Sequence, residues 1–375
     1  MSPHHDTFMR QALRLAARGR GTTSPNPMVG AVLVRRGRVI GQGYHRRAGG
    51  PHAEIEALND AAARGESPRG ATLYVTLEPC CTHGRTPPCT DAIVKAGIRQ
   101  VVVAATDPNP HHAGRGFDLL RTAGIQVQSG LQMEAANRLN EIFNHWIVHR
   151  TPWVTLKIAQ TLDGKIATAA GQSKWITGEG ARRVGQQLRR AHDAILVGVE
   201  TVLQDDPALT LRIGRRVEAR RRWVLDTRAR TPLTAQLVTD AFADQTTIVV
   251  GVNAPKSRVK VLARLVSVLS APLRNGRIDL SWLMTQMGGS SGASPLTSLL
   301  VEGGGEVHAS FLEARLAHRF VSFVAPKILG GGTARRAVGG ESYPSLAACP
   351  RLIDVESRQV PPDLMFSGRI QYPQS

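Results

Sequence analysis

Apolar side chains in the first 150 residues switch repeatedly between helical spacing and strand-like runs. Phe8, Ala12, Leu15 and Ala16 recur three or four residues apart, which predicts a helix that ends at Gly19. Further patterns predict strands at residues 28–34, 39–43, 71–76 and 100–105, and helices at residues 52–64, 91–96 and 133–149. This order of elements is typical of an α/β/α domain with partly parallel strands.

A change of pattern near residue 150 predicts a domain boundary. Pro152 disfavours continuation of the preceding helix, and Val154, Leu156 and Ile158 then alternate as in a strand. The later pattern predicts helices at residues 181–191 and from Glu306, and strands at residues 194–199, 223–225, 246–250, 299–301 and 320–324. We therefore predict two α/β domains, residues 1–149 and 150–375. Residues 253–294, which contain Gly, Ser and Pro, are predicted to form a flexible loop.

The length of the chain and its cysteines limit the classes of protein to consider. With 375 residues, two or three domains can each bury a core without disulfides. Three of the four cysteines, Cys80, Cys81 and Cys89, lie close together, a distribution typical of a metal site rather than a disulfide framework. The sequence has neither a signal-peptide core nor a run of about 18 apolar residues, so we expect a cytoplasmic protein without a membrane span.

The net charge of +18 at pH 7 raises the question of nucleic-acid binding, because Lys and Arg neutralise phosphates. The arginines occur in short scattered groups, and aromatic residues make up only 5% of the chain, so few side chains could stack on bases. We interpret the excess charge as solvated surface with a few groups that bind small phosphates, and we expect no nucleic-acid partner.

The most informative cluster of residue types is formed by His52, Glu54, Cys80 and Cys89. One imidazole and two thiolates supply three ligands for Zn²⁺ and leave a fourth tetrahedral position for water. Glu54 could move protons between that water and a leaving amine, as in zinc nucleobase deaminases with an H-x-E and P-C-x-x-C signature. The sequence departs from that signature because eight residues separate Cys80 from Cys89.

The types and spacing of these residues are also compatible with other functions. A structural zinc site is one alternative, with Cys81 or His83 as the fourth ligand. The acid two positions after His52, at a predicted helix start, favours the catalytic interpretation. A nucleic-acid-editing zinc deaminase with an accessory domain is a second alternative, and a non-enzymatic, zinc-stabilised RNA-binding protein is a third.

Longer runs of sequence resemble a known enzyme family, the bifunctional riboflavin-biosynthesis deaminase/reductases. Its deaminase half is similar to residues 77–89 (LEPCCTHGRTPPC), 25–27 (PNP) and 51–54 (PHAE). Its reductase half is similar to residues 162–165 (LDGK), 173–177 (SKWIT), 205–210 (DDPALT), 301–304 (VEGG) and 325–330 (APKILG). The resemblance spans nearly the whole chain and is weaker at residues 215–222 and 253–294.

The resemblance implies an α/β protein with an N-terminal cytidine-deaminase-like α/β/α domain and a C-terminal dihydrofolate-reductase-like α/β domain. In agreement, the second half has no Rossmann G-x-G-x-x-G fingerprint. The first domain would hold one zinc ion and deaminate a diaminopyrimidinone ribosylamino 5′-phosphate to the corresponding uracil. The second would use NADPH to reduce the ribosyl group to ribityl. A small phosphorylated pyrimidine would then be the substrate, and the family suggests a homo-oligomer.

The resemblance also implies two sets of binding residues, carried over by position. The deaminase pocket would contain Asn26, His83, Arg85, Asp107 and Asn109, of which His83 and Arg85 suit a phosphate. NADPH would contact Ala159, Trp175, Thr201, Asp205, Gly303, Gly304 and Gly305. The reductase substrate would contact Ser173, Arg189, Ala208, Arg212 and Glu302, with Lys157 as an electrostatic contributor. The alternatives are that residues 107–110 and 303–305 are plain turns and that Arg189 is a solvated surface residue.

Overall fold

The structure is a computed structural model that describes residues 3–82, 87–110, 112–289 and 295–373. The chain folds into two compact units, Met1–Arg150 and Thr151–Ser375, each with its own hydrophobic core. Every helix in the described ranges falls short of the length and hydrophobicity that crossing a lipid bilayer requires.

The described residues of the first unit form helices and strands that alternate along the chain. In chain order these are α1 (Pro3–Ala16), β1 (Gly30–Arg35), β2 (Arg38–Tyr44), α2 (Ala53–Ala63), β3 (Thr72–Leu77), α3 (Cys89–Lys95), β4 (Gln100–Ala105), α4 (Arg115–Thr122), β5 (Gln126–Ser129), α5 (Met133–Leu139) and α6 (Glu141–His149). A short 3-10 helix, Ala17–Gly19, follows α1 and ends at the glycine that the sequence predicted as its stop.

Strands β1 to β5 form one sheet in the order β2-β1-β3-β4-β5. β1 is antiparallel to both of its neighbours, whereas β3, β4 and β5 run parallel to one another. Successive residues of β1 enter different apolar clusters, Val32 one and Leu33 the other, so helices cover both faces of the sheet. Because adjacent parallel strands end at the same edge, Cys80 after β3 and Asp107 after β4 lie at one edge of the sheet.

The structure confirms the predicted elements of the first unit, with two differences. The helix predicted at residues 133–149 is divided at Asn140, whose side chain accepts the Met28 backbone N–H at 2.8 Å and donates to its carbonyl at 2.9 Å. The second difference is that α4 and β5 were not predicted. Both are short, and only three residues of α4 are buried, so their apolar pattern is weak.

The second unit has a longer series of elements within the described residues. In chain order these are β6 (Trp153–Thr161), β7 (Lys165–Ala167), α7 (Glu179–Ala191), β8 (Ala194–Gly198), α8 (Val199–Asp205), β9 (Leu211–Ile213), β10 (Arg216–Glu218), β11 (Arg221–Leu225), α9 (Gln236–Thr239), β12 (Thr246–Gly251), α10 (Lys256–Leu262), β13 (Ser267–Ala271), β14 (Leu273–Arg274), β15 (Arg277–Ile278), α11 (Leu280–Gly288), β16 (Ser298–Val301), α12 (Gly305–Glu313), β17 (Arg319–Ala325), β18 (Arg335–Arg336), β19 (Arg351–Val360) and β20 (Asp363–Gln371). The predicted helices and strands of this half are all present.

The main sheet of the second unit, within the described residues, has the strand order β13-β12-β11-β8-β16-β6-β17-β20-β19. The strands from β13 to β17 in this order are parallel, and β20 and β19 complete the sheet in antiparallel pairing. After β13, the chain returns across the sheet and places β16 between β8 and β6. The direction in which successive strands are added therefore reverses at this point. Ligands of parallel α/β sheets bind at the carboxyl ends of strands where such a reversal occurs.

The prediction of a flexible loop at residues 253–294 is wrong for the residues up to 289. The segment contains α10, β13, β14, β15 and α11. Asp279 caps α11, because its Oδ1 accepts the Trp282 backbone N–H at 3.1 Å. The helix buries four apolar side chains at helical spacing, Leu280, Leu283, Met284 and Met287. The rest of the predicted loop, residues 290–294, lies outside the described residues.

Arg222 on β11 is an exception to the interpretation of the scattered arginines as solvated surface. Its side chain is fully buried, with no exposed surface. It donates to both carboxylate oxygens of Asp240 at 2.6 and 2.8 Å and to Thr246 Oγ1 at 2.9 Å. The guanidinium also donates to the carbonyl groups of residues 208, 237 and 242. Arg222 therefore connects β11 to three other segments of the chain. One of them carries Ala208, a predicted substrate contact.

Candidate functional site

The three predicted metal ligands of the first unit lie together. His52 immediately precedes α2, Cys80 follows β3, and Cys89 is the first residue of α3. His52 Nδ1 lies 3.2 Å from Cys89 Sγ and 3.5 Å from Cys80 Sγ, and the three ligand atoms lie within 4.8 Å of one another. Zinc bonds of about 2.0 Å to nitrogen and about 2.3 Å to sulfur place tetrahedral ligand atoms about 3.6 Å apart. The donor set and its spacing therefore fit a zinc ion.

Cys81, one of the two residues proposed as a fourth zinc ligand, lies apart from the cluster. Cys81 Sγ contacts His112 Nδ1 at 3.7 Å and does not belong to the group of clustered ligand atoms. His83 lies outside the described residues, as does Arg85. The described part of the chain thus supplies three protein ligands, the number that leaves a tetrahedral ion one position for water.

Hydrogen bonds within the cluster shift the pKa values of its members. The hydrogen bond from Cys89 lowers the pKa of Cys80 to about 4, and His52 acts in the same direction. The same contact raises the pKa of Cys89, and the hydrogen bond with Cys80 raises the pKa of His52. A metal ion must displace the protons that Cys89 and His52 hold. We therefore expect zinc affinity to fall as the pH falls.

Glu54 lies in the first turn of α2, with only 3% of its surface exposed. Burial raises its pKa to about 7, and the charge of Cys80 adds to the shift. Its oxygens do not belong to the group of clustered ligand atoms. A carboxyl group whose pKa is near neutrality can both accept and return a proton at physiological pH. Glu54 is therefore suited to proton transfer beside the cluster.

Glu78, a residue to which the sequence pattern assigned no role, organises the loop that follows β4. Its buried carboxylate accepts the backbone N–H groups of Asp107, Gly114 and Gly116 at 3.2, 3.0 and 2.9 Å. Asp107 Oδ1 accepts the Asn109 backbone N–H at 2.9 Å, which forms a turn. Burial raises the pKa of Asp107. The turn is thus anchored to the segment that carries Cys80, one of the predicted metal ligands, and both predicted pocket residues lie on it.

Asn26 is connected through His45 to His52, one of the predicted metal ligands. Asn26 Nδ2 lies 3.1 Å from His45 Nε2, and the His45 ring packs edge-on against the ring of His52, with centroids 5.4 Å apart. Burial lowers the pKa of His45. The sequence pattern did not indicate a role for His45, because its partners His52 and Asn26 lie seven residues later and nineteen residues earlier in the chain.

Hydrogen bonds connect four sequence motifs of the second unit, two of which follow the carboxyl ends of the parallel strands β6 and β17. Ser173 Oγ donates to Asp205 Oδ1 at 2.5 Å, and Lys327 Nζ donates to the carbonyl of Trp175 at 2.8 Å. The Trp175 side chain itself is 66% exposed. Asp163 accepts the backbone N–H groups of residues 329 and 330 at 3.0 and 2.7 Å. Four of the family motifs therefore form one connected edge of the unit.

Glu302, the first residue after β16, is the centre of a charged cluster. Arg189 donates from Nε and Nη2 to its two carboxylate oxygens at 2.7 and 3.0 Å, and Lys157 Nζ lies 3.7 Å from Oε2. Burial acts to raise the pKa of Glu302, but Arg189 and Lys157 outweigh it and hold the pKa at about 2. Arg189 also donates to the Thr210 carbonyl at 2.8 Å, and its side chain is only 18% exposed. The alternative that Arg189 is a solvated surface residue is wrong.

The glycine loop between β16 and α12 is close-packed at two of its three positions. A Cβ atom at Gly303 would lie 2.9 Å from Val307 Cβ, and one at Gly305 would lie 2.3 Å from Arg336 O. Gly304, the N-cap of α12, has no heavy atom of the described residues within 4 Å of such a Cβ. Backbone N–H groups at a helix N-terminus bind phosphate oxygens, and Gly304 leaves this one accessible.

The other predicted contacts of the second unit lie on neighbouring elements. Ala159 is on β6 and Thr201 is in α8, and both are half-buried. The carbonyl of Ala208 accepts a hydrogen bond from Arg222 at 2.8 Å. Arg212 is an exposed residue of β9, and its backbone N–H donates to Gln186 Oε1 at 2.8 Å. The structure thus brings Ser173 to Asp205 and Arg189 to Glu302, whereas it shows no contact that joins Arg212 to either pair.

We expect Glu302→Gln to lower the free energy of unfolding at pH 7 by about 1–3 kcal/mol, because Arg189 and Lys157, which are only 18% and 20% exposed, then lose their anionic partner. The pKa of about 2 lies below the usual 4.5, so the carboxylate contributes its full stabilisation above pH 4.5 and loses it as the pH falls toward 2. Urea unfolding at neutral pH and again near pH 3 should therefore show a smaller difference between wild type and variant in acid.

Glu179→Gln is the matched control for this substitution. Glu179 forms an ion pair with Arg183 at 2.8 Å, and both side chains are exposed. Its loss should change the free energy of unfolding by less than about 0.5 kcal/mol. Equal losses in the two variants would contradict the assignment of Glu302 to a buried pair.

Two family models match the chain, one in each unit. Residues 2–105 match the cytidine and deoxycytidylate deaminase zinc-binding region, and residues 152–366 match the RibD C-terminal domain. The first range contains His52, Cys80 and Cys89, and the second contains Arg189 and Glu302.

Curated relatives and solved structures resemble both units together. Riboflavin biosynthesis protein RibD of Actinobacillus pleuropneumoniae is 43% identical over 92% of this chain and 90% of that protein. The protein of the same name from Escherichia coli strain K12 is 41% identical over 95% of this chain and 97% of that protein. A structure of Acinetobacter baumannii RibD has 36% identity and a TM-score of 0.84, and it covers 98% of this chain and 99% of its own. A Thermotoga maritima structure, described as a diaminohydroxyphosphoribosylaminopyrimidine deaminase/5-amino-6-(5-phosphoribosylamino)uracil reductase, has 34% identity and a TM-score of 0.82 over the same shares.

Proposed function

Because this chain belongs to the RibD family of riboflavin-biosynthesis proteins, we propose that residues 1–149 deaminate a diaminopyrimidinone ribosylamino 5′-phosphate and residues 150–375 then reduce its ribosyl group with NADPH. The chain is a bifunctional deaminase/reductase. The observation that carries the more specific proposal is the buried Glu54 beside the cluster of His52, Cys80 and Cys89. The nucleic-acid-editing alternative has less support, because it leaves the second unit without a function.

In the first unit, His52, Cys80 and Cys89 would hold zinc, which when bound acts as a Lewis acid and increases the acidity of water. Glu54 would take the proton that the attacking water gives up. It would then deliver a proton to the leaving amino group, which departs as ammonia. The pKa of about 7 supports both transfers, since the carboxyl group can gain and lose a proton near neutral pH.

The remaining residues of this pocket would bind the substrate. Asn26, Asp107 and Asn109 carry amide and carboxylate groups that can pair with the donors and acceptors of a pyrimidine ring. His83 and Arg85 would bind the phosphate, for which a guanidinium is suited by its two parallel N–H groups. Glu78 anchors the turn by one hydrogen bond from Asp107 and the segment that follows it by two more, from Gly114 and Gly116, which supports a pocket wall of fixed shape.

In the second unit, NADPH would be bound at the carboxyl ends of the parallel strands and, when bound, would supply the hydride. The residues that would contact it are Ala159, Trp175, Thr201, Asp205, Gly303, Gly304 and Gly305. Two features support this placement. A hydrogen bond joins Ser173 to Asp205, the last residue of α8, and the N-terminus of α12 is accessible at Gly304.

The phosphorylated substrate of the second unit would be bound by Ser173, Arg189, Ala208, Arg212 and Glu302. Arg189 already donates three hydrogen bonds, so two of its five N–H groups are left for a ligand. Arg212 is exposed and has no ion pair among the described residues, so its whole guanidinium could pair with a phosphate. We therefore assign the phosphate mainly to Arg212, while Arg189 and Lys157 keep Glu302 ionised to accept sugar hydroxyl groups.

Removal of zinc with a chelator should abolish ammonia release and leave the reduction of already deaminated substrate unchanged, because the clustered ligand atoms all belong to the first unit. Cys89→Ser should reproduce this loss, with zinc content measured by metal analysis. Cys349→Ser is the matched control, since Cys349 is a free cysteine of the second unit. Undiminished ammonia release at zero zinc content would count against the metal assignment.

The proposed function is tested by following two signals from one sample. Purified, zinc-loaded protein is incubated with the diaminopyrimidinone ribosylamino phosphate, with and without NADPH, while ammonia release and cofactor absorbance are recorded. We expect ammonia in both samples and NADPH oxidation that depends on prior deamination. Ammonia without NADPH oxidation would reject the reductase half, and the absence of both signals would reject the proposal in favour of a nucleic-acid substrate.

A further inference from the structure

His45 is a buried polar residue that the proposed chemistry does not use. Only 2% of it is exposed, and its backbone N–H donates to the Val29 carbonyl at 2.9 Å, which continues the pairing of β1 with β2. Its ring lies between two polar neighbours, the Pro51 carbonyl and the side chain of Asn26. A fixed backbone and a contact on each ring nitrogen leave the imidazole little freedom to turn.

The two contacts determine which ring nitrogen carries the proton. His45 Nδ1 lies 2.9 Å from Pro51 O, and a carbonyl oxygen can only accept, so Nδ1 is the donor. In a neutral imidazole, Nε2 is then an acceptor. His45 has no hydrogen bond to a carboxylate among the described residues, and a buried imidazolium without such a partner is costly. The ring is therefore neutral, with its proton on Nδ1.

This state of His45 determines the orientation of the Asn26 amide. At 3.1 Å from the acceptor Nε2, Asn26 must place its NH₂ group toward the ring, because its oxygen there would face a second acceptor. Oδ1 is thereby turned away from His45, and none of the described residues donates a hydrogen bond to it. The Asn26 backbone N–H donates to Thr23 O at 2.7 Å, which holds the residue in its turn.

We propose that His45 is a positioning residue that presents Asn26 Oδ1 to the deaminase substrate as a hydrogen-bond acceptor. The inference rests on the proposed function, in which Asn26 contacts the substrate. The amino and ring N–H groups of a diaminopyrimidine and the hydroxyl groups of ribose are the donors that such an acceptor recognises. A flipped amide would turn two N–H donors toward these groups and lose the contact.

Two substitutions of His45 separate this role from a merely structural one. In His45→Gln, the side-chain oxygen can occupy the position of Nε2 and accept the hydrogen bond from Asn26. In His45→Asn, the shorter amide can still donate to Pro51 O from the position of Nδ1, but it does not reach Asn26. Both variants keep an uncharged polar side chain at the buried position, so they form a matched pair.

The test measures ammonia release by the full-length, zinc-loaded protein for both variants, each alone and combined with Asn26→Ala. We expect His45→Asn to lower kcat/KM by about tenfold, the loss that follows from one hydrogen bond, and His45→Gln to stay within about threefold of wild type. In the Asn26→Ala background the two variants should have equal kcat/KM, because the acceptor that His45 orients is gone.

Several outcomes would overturn this proposal without touching the proposed function. Equal losses in His45→Asn and His45→Gln would do so, as would an unimpaired Asn26→Ala or a further loss from His45→Asn in the Asn26→Ala background. A wild type that releases no ammonia would instead reject the proposed function itself.

Nitrogen-15 NMR of selectively labelled histidine tests the tautomer in the wild type, without relying on the folding of any variant. His45→Gln identifies the His45 signals by their disappearance, and we expect a protonated Nδ1 and an unprotonated Nε2. A proton on Nε2 would overturn the proposal even if His45→Asn failed to fold or to retain zinc.

Discussion

Glu54→Gln is expected to lower the kcat of ammonia release by about 10²- to 10⁴-fold, the usual loss when a positioned general acid and base is removed. Gln has the shape of Glu but cannot take up a proton at neutral pH. The Glu54 oxygens do not belong to the clustered ligand atoms, so the variant should retain its zinc. The measurement combines steady-state ammonia release with the zinc content of the same preparation.

Glu56→Gln is the matched control, because it changes a carboxylate two residues later on the same helix. Glu56 forms an ion pair with the exposed Arg46 at 3.2 Å, so its removal should leave deamination nearly unchanged. Both variants should reduce already deaminated substrate at the rate of wild type. A Glu54→Gln protein that keeps most of its deaminase rate would contradict the proton-transfer role, and loss of zinc would contradict its assignment as a non-ligand.

Arg222→Met is expected to lower the free energy of unfolding by about 3–5 kcal/mol, the usual consequence of removing one partner from a buried ion pair. Met fills much of the same volume, but it leaves the Asp240 carboxylate and three carbonyl groups without their donor. One of these carbonyls belongs to Ala208, so the variant should also weaken reduction by disturbing the predicted substrate contact. Urea unfolding and NADPH oxidation measure the two effects.

Arg216→Met provides the comparison for Arg222→Met. Arg216 is an exposed residue of β10, and its replacement should change the free energy of unfolding by less than about 0.5 kcal/mol. Similar small changes in both variants would show that the hydrogen bonds of Arg222 contribute little to stability.

The candidate zinc site could be predicted from the sequence because its chemistry depends on local positions. His52 and Glu54 are two residues apart at a helix start, and Cys80 and Cys89 are nine positions apart between the end of β3 and the start of α3, so proximity along the chain brings each pair together. The helices and strands with strong apolar periodicity were predictable for the same reason. α11 could have been predicted as well, since Asp279 is a typical N-cap and the apolar residues that follow it have helical spacing.

Other residues could not be predicted, because their roles depend on partners that are distant in sequence. Glu78 is bonded to backbone groups up to 38 positions away, and His45 contacts Asn26 across two strands. Arg222 is one of three consecutive arginines with the same local propensity. Only its position on the inner face of β11 makes it a buried structural residue.

By itself, the sequence predicted the helices and strands with strong apolar periodicity, the family, the candidate zinc ligands and the candidate proton-transfer residue. Each of these depends on residue types at short spacing, where chain connectivity limits the geometry. The tertiary structure alone decided which charged residues are buried, how the motif loops are joined and which way the Asn26 amide faces. Those features depend on hydrogen bonds between segments that only folding brings together, and on a desolvation cost that no local pattern records.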